Sequence, residues 1–242
     1  MAKKISEINK KLKSALNVDK EGKKPYVSIN KLAEYMTANA IRRRQIIKIL
    51  KKDSDFYKVY YSEVRNVIPK FFKSNYDSDI LDVLITKIEE KVVSTDWEKN
   101  DNSNSIIAIQ NVLESNLPDL SNYNFIKDDF KIKKIELAGV TVTIKPDLFL
   151  QNKDNSKIGV LKHHIAKTPD NQLEDENRIY VATILKFALL EHGLEEKNID
   201  DNACIAFDIF KKDYSTSSKS FKRTISAVEA ACEEIALRWE TI

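Results

Sequence analysis

Two apolar segments separated by a polar pentapeptide place the strongest constraint on what this chain can fold into. The first segment runs from Gly139 to Gln151, and apolar side chains alternate with polar ones over most of its length, as in a strand with one buried face. The second segment runs from Lys157 to Ala166. The residues between them, Asn152 to Ser156, are of types that favour turns. The sequence therefore predicts a β-hairpin.

The predicted hairpin brings a carboxylate close to an ammonium group. Pro146 and Asp147 lie near the end of the first strand, and Lys162 lies on the second. Lys162 shares its face of the strand with Val160 and His164, because side chains alternate between the two faces. Metal-dependent phosphodiesterases place a carboxylate beside an ammonium in this way. The alternative for Asp147 is a residue that caps the turn at the end of the strand.

Helical and strand-like patterns flank the hairpin in a regular order. Helical periodicity covers Ser105 to Leu117, Asn171 to Glu191 and Ser220 to Trp239. Short apolar segments at Phe130 to Leu137 and Asn202 to Phe210 predict strands. From residue 103 onward the predicted order of elements is therefore α-β-β-β-α-β-α.

Pro146-Asp147, Lys162 and this order of elements resemble the PD-(D/E)XK nuclease superfamily, which has the restriction-endonuclease-like fold. The resemblance covers residues 103–242 and implies an α+β protein with an αβββαβα core around a small mixed sheet. It also implies hydrolysis of phosphodiester bonds with Mg²⁺ or Mn²⁺ as cofactor. The chain departs from the family pattern at Val160, where the family has an aspartate or a glutamate.

The resemblance implies that Asp147 binds the metal ion. Because Val160 cannot bind a metal, a second carboxylate must come from elsewhere in the chain. Glu114, on the helix before the first strand, is preferred to Glu174 and Glu176 at the start of the helix after the hairpin. A single additional carboxylate suffices, since Mg²⁺ needs one or two carboxylates together with water and phosphate oxygens. Solvated helix surface is the alternative role of each glutamate.

Lys162 and one histidine complete the predicted catalytic set. Lys162 would assist the attacking water or stabilise charge that develops on the phosphate. His164 shares the face of Lys162 and is a candidate for proton transfer or a phosphate contact, whereas His163 points to the opposite face. A partly exposed strand residue is the simpler interpretation of either histidine.

The amino-terminal part of the chain is strongly basic. Residues 1–73 hold 15 lysines and 4 arginines against 7 acidic residues, a net charge of +12, whereas residues 74–242 carry −9. This asymmetry favours contact between the first part and a polyanion. The densest basic segment supplies the nucleic-acid-binding candidates Arg42, Arg43, Arg44, Lys48 and Lys51. A soluble basic surface is the alternative.

The same part of the chain is predicted to be an all-helical domain, residues 1–100, followed by the nuclease-like domain, residues 101–242. Its predicted helices are an amphipathic stretch from Ile5 to Leu16, a helix capped by Ser28, the basic segment, a helix up to a kink at Pro69, and one from Asp77 to Val93. The polar stretch from Ser94 to Asn104 is interpreted as the boundary between the two domains.

Composition excludes several classes of protein. With four glycines, the chain has no glycine-rich phosphate-binding loop. Cys204 and Cys232 lie in apolar patterns without metal-ligand spacing, which favours a reduced, cytoplasmic protein. No apolar run approaches about 18 residues, and no signal-peptide pattern is present, so we expect neither a membrane span nor export.

Three classes of function stay open. The first is a Mg²⁺- or Mn²⁺-dependent nuclease whose basic helices deliver nucleic acid to Asp147 and Lys162. The second is a catalytically inactive protein that keeps the nuclease fold and binds nucleic acid, with Val160 marking the lost metal site. The third is an interaction module that binds a protein partner or forms a homodimer. In the first two, DNA is favoured over RNA.

Overall fold

The computed structural model describes residues 24–52 and 60–242, a mixture of helices and strands as in an α+β protein. The helices are α1 (Ile29–Thr37), α2 (Ala40–Lys51), α3 (Ser62–Lys73), α4 (Asp79–Glu89), α5 (Asp96–Leu113), α6 (Asp175–Glu191) and α7 (Phe221–Thr241). The strands are β1 (Tyr26–Ser28), β2 (Tyr123–Ile126), β3 (Lys134–Leu137), β4 (Val140–Thr143), β5 (Leu148–Asn152), β6 (Ile158–His164), β7 (Ile199–Asp208) and β8 (Asp213–Thr216). The predicted amphipathic stretch from Ile5 to Leu16 lies outside the described residues.

These strands form two sheets. The larger sheet has the order β2-β5-β6-β7-β8, in which β6 and β7 are parallel and the other neighbours are antiparallel. The smaller sheet has the order β1-β4-β3, in which β1 and β4 are parallel. The parallel pair β6 and β7 is connected through α6, the crossover that parallel strands require.

The predicted hairpin is confirmed as β5 and β6, with Leu148 opposite Leu161 and Gln151 opposite Ile158. Its first strand is shorter than predicted, because the segment from Gly139 to Gln151 contributes to two sheets. The break falls at Lys145, which has a positive φ of 45°, and Pro146, which has no amide hydrogen for a strand ladder. The chain leaves the smaller sheet after β4 and enters the larger sheet at β5.

The larger sheet is covered on both faces. Leu148, Leu150 and Leu161 pack in one hydrophobic cluster with α3, α4 and α5. Phe149 and Val160 pack in a second cluster with α1, α2, α6, α7 and the smaller sheet. The prediction that one strand face of the hairpin meets solvent is therefore wrong for β5, since three consecutive side chains of this central strand are buried.

Helix α5 begins earlier than predicted. A capping box starts it, with the Thr95 hydroxyl accepting from the Glu98 N–H and the Glu98 carboxylate accepting from the Thr95 N–H. Most of the stretch interpreted as an interdomain linker is therefore the first half of a helix. The predicted boundary at residue 100 falls inside α5, and residues from both sides of it contribute to each hydrophobic cluster.

Further differences concern element limits. The prediction of an all-helical amino-terminal part is wrong at β1, where Val27 pairs with Val142 of β4. The segment predicted as a first strand shortens to β3 of the smaller sheet, while β2, which the pattern did not indicate, joins the larger sheet. Helix α3 continues through Pro69, and α6 begins at Asp175. Gly193, with φ of 93°, ends α6 as predicted.

Candidate phosphate-binding site

Asp147 lies at the entrance to β5 and is held against β6 by its backbone and its side chain. Its N–H donates to the Leu161 carbonyl at 2.9 Å. Its Oδ2 accepts from the His163 N–H at 2.8 Å. The His163 ring lies against the same oxygen, with Nδ1 at 3.1 Å, but this contact lacks hydrogen-bond geometry. The carboxylate is therefore fixed relative to the strand that carries Lys162.

Lys162 faces this carboxylate, as the hairpin led us to expect. Its Nζ lies 4.0 Å from Asp147 Oδ2 and donates to the Lys145 carbonyl at 2.8 Å. Lys145, whose φ is positive, lies in the turn between β4 and β5. This turn therefore supplies the carbonyl that anchors the Lys162 ammonium. The ammonium is largely buried, with 16% of the side chain exposed, and lies within one water molecule of the carboxylate.

Arg65 of α3 is a third charged group at the site, and the sequence pattern did not single it out. Burial lowers the pKa of the Arg65 guanidinium, and the Asp147 carboxylate opposes that shift. The Nη2 atom also lies 3.4 Å from the Ile165 carbonyl, just beyond the end of β6. Helical periodicity placed Arg65 between apolar positions of α3, but nothing in the sequence related α3 to the hairpin.

The charges at this site shift one another's ionisation. Burial lowers the pKa of Lys162; Asp147 opposes this shift, while Arg65 and Lys145 reinforce it. Burial alone would raise the pKa of Asp147, but the His163 ring, the Lys162 ammonium and the hydrogen bond from the His163 N–H lower it, and the net shift is downward. Asp147 therefore remains a carboxylate, in surroundings that carry more positive than negative charge.

His164 is brought to the predicted strand face, but both of its ring nitrogens are engaged. Nε2 lies 2.7 Å from the Asn171 carbonyl oxygen, so this nitrogen carries the proton and donates. Nδ1 lies 2.8 Å from the Asn30 side-chain nitrogen and therefore accepts from it. Burial lowers the pKa of His164. The ring connects α1 to the turn at Asn171 and has no nitrogen free for proton transfer.

Glu114, the preferred second carboxylate, does not face Asp147. Its carboxylate forms an ion pair with Lys212, beside β8. Asn104 of α5 bonds to Lys167, three residues beyond β6, at 2.9 Å. Glu114 lies ten residues further along the chain, and the helical rise places it about 15 Å from that contact. The sequence correctly placed Glu114 on the helix before the first strand, but the middle of α5, and not its carboxyl-terminal end, approaches the segment after β6.

The other two predicted carboxylates are also engaged elsewhere. Glu174 forms an ion pair with Lys211, and Glu176 accepts from the Tyr180 hydroxyl at 3.1 Å. Neither interaction involves a residue of β5 or β6. Glu174, the N-cap of α6, therefore reaches the turn between β7 and β8, and Glu176 stays on the surface of its own helix.

Val160 stands where the nuclease family has a carboxylate, and its surroundings are apolar. The side chain is fully buried. Phe149 of β5 and Cys204 of β7 are its neighbours in the sheet. A charged group at this position would be removed from water and would lack a partner among these neighbours.

The described surroundings of Asp147 offer few ligands for a divalent metal ion. Across residues 24–52 and 60–242, no group of three or more His, Cys, Asp or Glu side chains is placed to hold one. Asp128, which the sequence analysis missed, lines a 280 Å³ cavity together with Asp147, but Lys73 and Lys127 line it too. The Lys162 ammonium lies 4.0 Å from the Asp147 carboxylate, a position from which it attracts an anion.

The predicted nucleic-acid-binding arginines of α2 have different surroundings. Arg42 forms an ion pair with Glu34 at 2.7 Å. Arg43 pairs with Glu234 of α7 at 2.9 Å and donates to the carbonyls of Tyr35 and Met36. Both guanidinium groups therefore connect α2 to neighbouring helices. Their donors are engaged within the protein rather than directed at solvent.

The remaining basic candidates of α2 face solvent. Arg44 and Lys48 are exposed. Lys51 is also exposed, although its Nζ donates to the Trp239 carbonyl at 2.8 Å. The basic surface that α2 offers to a polyanion is consequently narrower than the sequence indicates, and Arg44 and Lys48 are the exposed candidates whose charged groups make no bond within the described residues.

In comparisons with known proteins, no family model and no curated protein matches this sequence. Within the described part of the chain, no helix combines the length and apolar character that a bilayer crossing requires. The geometry around Asp147 therefore carries the functional argument.

Proposed function

We propose that this protein binds nucleic acid through a restriction-endonuclease-like core, and that a backbone phosphate occupies the place where nucleases of this fold bind metal. The order of elements supports the fold when β3, β4 and β8 are treated as additions to it: α5, β2, β5, β6, α6, β7 and α7 then follow the αβββαβα series, with β2 as the first strand. In the larger sheet the middle strands pair antiparallel and then parallel, so Asp147 and Lys162 fall on neighbouring strands.

The observation that carries the proposal is the charge balance around Asp147. The Asp147 carboxylate lies 4.0 Å from the Lys162 ammonium, accepts from the His163 N–H at 2.8 Å, and opposes the fall in pKa that burial causes at the Arg65 guanidinium. Two fixed cations exceed the charge of the carboxylate, in a site that is largely buried. A phosphate oxygen is attracted to such a site, and charge-assisted hydrogen bonds from lysine and arginine hold it strongly.

Asp147 offsets part of the positive charge in this proposal. Its carboxylate lies 4.0 Å from the Lys162 ammonium and opposes the fall that burial causes in the pKa of Arg65. The ammonium also donates to the Lys145 carbonyl, so Lys162 is held in place by a contact that does not depend on the charge of Asp147. The carboxylate therefore lowers the net positive charge that an incoming phosphate meets.

A second candidate function is metal-dependent phosphodiester hydrolysis. The spacing of Asp147 and Lys162 favours it, because this carboxylate–ammonium pair is the part of the nuclease pattern that the chain retains. Val160 and the ion pair of Glu114 with Lys212 count against it. For either candidate, DNA is favoured over RNA, and Arg44 and Lys48 extend the basic surface.

The test combines binding and cleavage in one set of reactions. Labelled duplex DNA, single-stranded DNA and RNA are each incubated with the full chain in Mg²⁺, in Mn²⁺ and in chelator. We expect binding that persists in chelator and no cleavage product. Metal-dependent cleavage that Asp147→Asn abolishes would establish the second candidate instead. An absence of binding to all three nucleic acids would favour the interaction module.

A further inference from the structure

A cleft of about 760 Å³ opens beside the proposed phosphate site, between the start of α3, the first half of α5 and the segment after β6. Its polar lining includes Arg65, Asn100, Asn104, Lys167 and Thr168. Its described lining contains two cations and no carboxylate. The volume falls in the range of sites that enclose small organic groups, and the charge suits an anionic occupant.

The cleft also contains an exposed aromatic surface. Tyr60 is 40% exposed and lines the cleft beside Tyr61. The Tyr60 ring is supported by Trp97 of α5, with ring centroids 5.2 Å apart and an interplanar angle of 50°. The Tyr60 ring also packs against Tyr61, with ring centroids 6.1 Å apart. An aromatic ring held by two others offers its exposed part to a planar ligand with little loss of side-chain freedom.

Arg65 connects the cleft to the phosphate site. It lines the cleft, it contacts the Ile165 carbonyl, and its guanidinium interacts with Asp147. The Arg65 side chain therefore borders both the cleft that contains Tyr60 and the proposed phosphate site at Lys162. Successive units of a nucleic acid strand alternate a phosphate with a base, which matches this arrangement.

We infer that the cleft binds an unpaired base stacked on Tyr60, so that the nucleic acid bound by this protein is single-stranded at this point. The inference rests on the proposed function, which supplies the phosphate contact at Arg65 and Lys162. A base within a duplex has both faces covered by its neighbours and cannot stack on a protein ring without leaving the helix. Stacking on aromatic side chains is independent of sequence, since every base has a planar face.

The test compares two ligands that share phosphates and differ in bases. Binding of a thymidine octamer and of an abasic octamer of the same length is measured by fluorescence anisotropy in chelator. We expect the wild-type chain to bind the thymidine octamer about tenfold more tightly, the range of one stacked base. Tyr60→Leu should abolish this preference, while Tyr60→Phe should retain it because the ring remains.

Tyr26 provides a matched control, because it is also 40% exposed but belongs to the smaller sheet. Tyr26→Leu should leave the preference for the thymidine octamer unchanged. Thermal unfolding of each variant checks that the fold is retained. A second readout uses Trp97 fluorescence in a Trp239→Phe background, since these are the two tryptophans of the chain. The thymidine octamer should quench it more than the abasic octamer.

The outcomes separate this inference from the proposed function. Equal wild-type affinity for the two octamers, or a preference that survives Tyr60→Leu, would overturn the inference while leaving phosphate binding intact. If the wild-type chain binds neither of the two octamers and does not bind duplex DNA, both proposals are overturned.

Discussion

Lys162 Nζ lies 4.0 Å from Asp147 Oδ2 across the antiparallel pair β5 and β6, and the same ammonium donates to the Lys145 carbonyl. The ammonium is thus anchored by the turn that precedes the strand carrying its acidic partner. This cross-strand relationship makes the site rigid before any ligand arrives. It also means that the charge of either residue can be changed without removing the hydrogen bonds of the sheet.

Removing the charge of Asp147 should strengthen nucleic acid binding. In Asp147→Asn the amide oxygen can still accept from the His163 N–H, but the negative charge opposing a phosphate is gone. We expect affinity for single-stranded DNA in chelator to rise about threefold to tenfold, equivalent to roughly 1 kcal/mol. Asp154→Asn, at an exposed position in the turn at the opposite end of the hairpin, removes the same charge away from the site and should have little effect. Weaker binding by Asp147→Asn alone would contradict a phosphate at this position.

Two neighbouring arginines of α2, Arg43 and Arg44, should differ in their contribution to the stability of the fold. Arg43→Ala removes the ion pair with Glu234 and two hydrogen bonds to α1 carbonyls, so we expect a loss of about 1–2 kcal/mol in the free energy of unfolding. Arg44→Ala, at an exposed position, should leave that free energy unchanged within about 0.5 kcal/mol. Urea unfolding measures both variants. Equal effects on stability would show that the contacts of Arg43 do not stabilise the fold.

Gly159 should not tolerate a side chain. A Cβ at this position would lie 2.3 Å from Ala203 Cβ and 2.5 Å from the Ala203 carbonyl oxygen, so β6 and β7 would have to move apart. We expect Gly159→Ala to cost about 2–3 kcal/mol in urea unfolding. Gly193→Ala meets no atom within 4 Å but has φ of 93°, and should cost about 1–2 kcal/mol. A smaller loss for Gly159→Ala than for Gly193→Ala would contradict the packing of β6 on β7.

His164 should make stability depend on pH. Its pKa is lowered from 6.5 in the folded protein, so below about pH 6.5 the unfolded chain binds more protons than the folded one. The free energy of unfolding should therefore fall as the pH drops from 7.5 to 5.5. In His164→Gln, which can still donate and accept hydrogen bonds, this fall should be smaller. Urea unfolding of both proteins at the two pH values measures this difference. An equal fall in the free energy of unfolding would show that a group other than His164 titrates.

The sequence allowed much of the fold to be predicted, because local patterns determine the elements. The hairpin of β5 and β6, the strand β7 and the helices α6 and α7 all follow from periodicity and turn residues. The exchange between sheets at Lys145 could not be predicted, because a positive φ at a lysine has no sequence signature. The burial of Phe149 could not be predicted either, since it depends on elements distant in sequence that cover the second face of the sheet.

The candidate site was predictable only in part, because some of its contacts depend on packing between elements that are distant in sequence. Asp147 and Lys162 meet because hairpin register is a local property. Arg65 joins them through the packing of α3 on the sheet, which no local pattern specifies. Glu114 was expected at the site from its helix alone, but the direction of α5 across the sheet carries it towards Lys212.

The most direct test of the central claim is the salt dependence of single-stranded DNA binding by Lys162→Met in chelator. Methionine keeps the apolar stem of the side chain and removes one proposed phosphate contact. Lys157→Met, at an exposed position of the same hairpin, is the matched control. We predict weaker binding by Lys162→Met and a slope of log K against log salt that is smaller by about 0.7, with both values unchanged in the control. Unchanged affinity and slope for Lys162→Met would contradict the account.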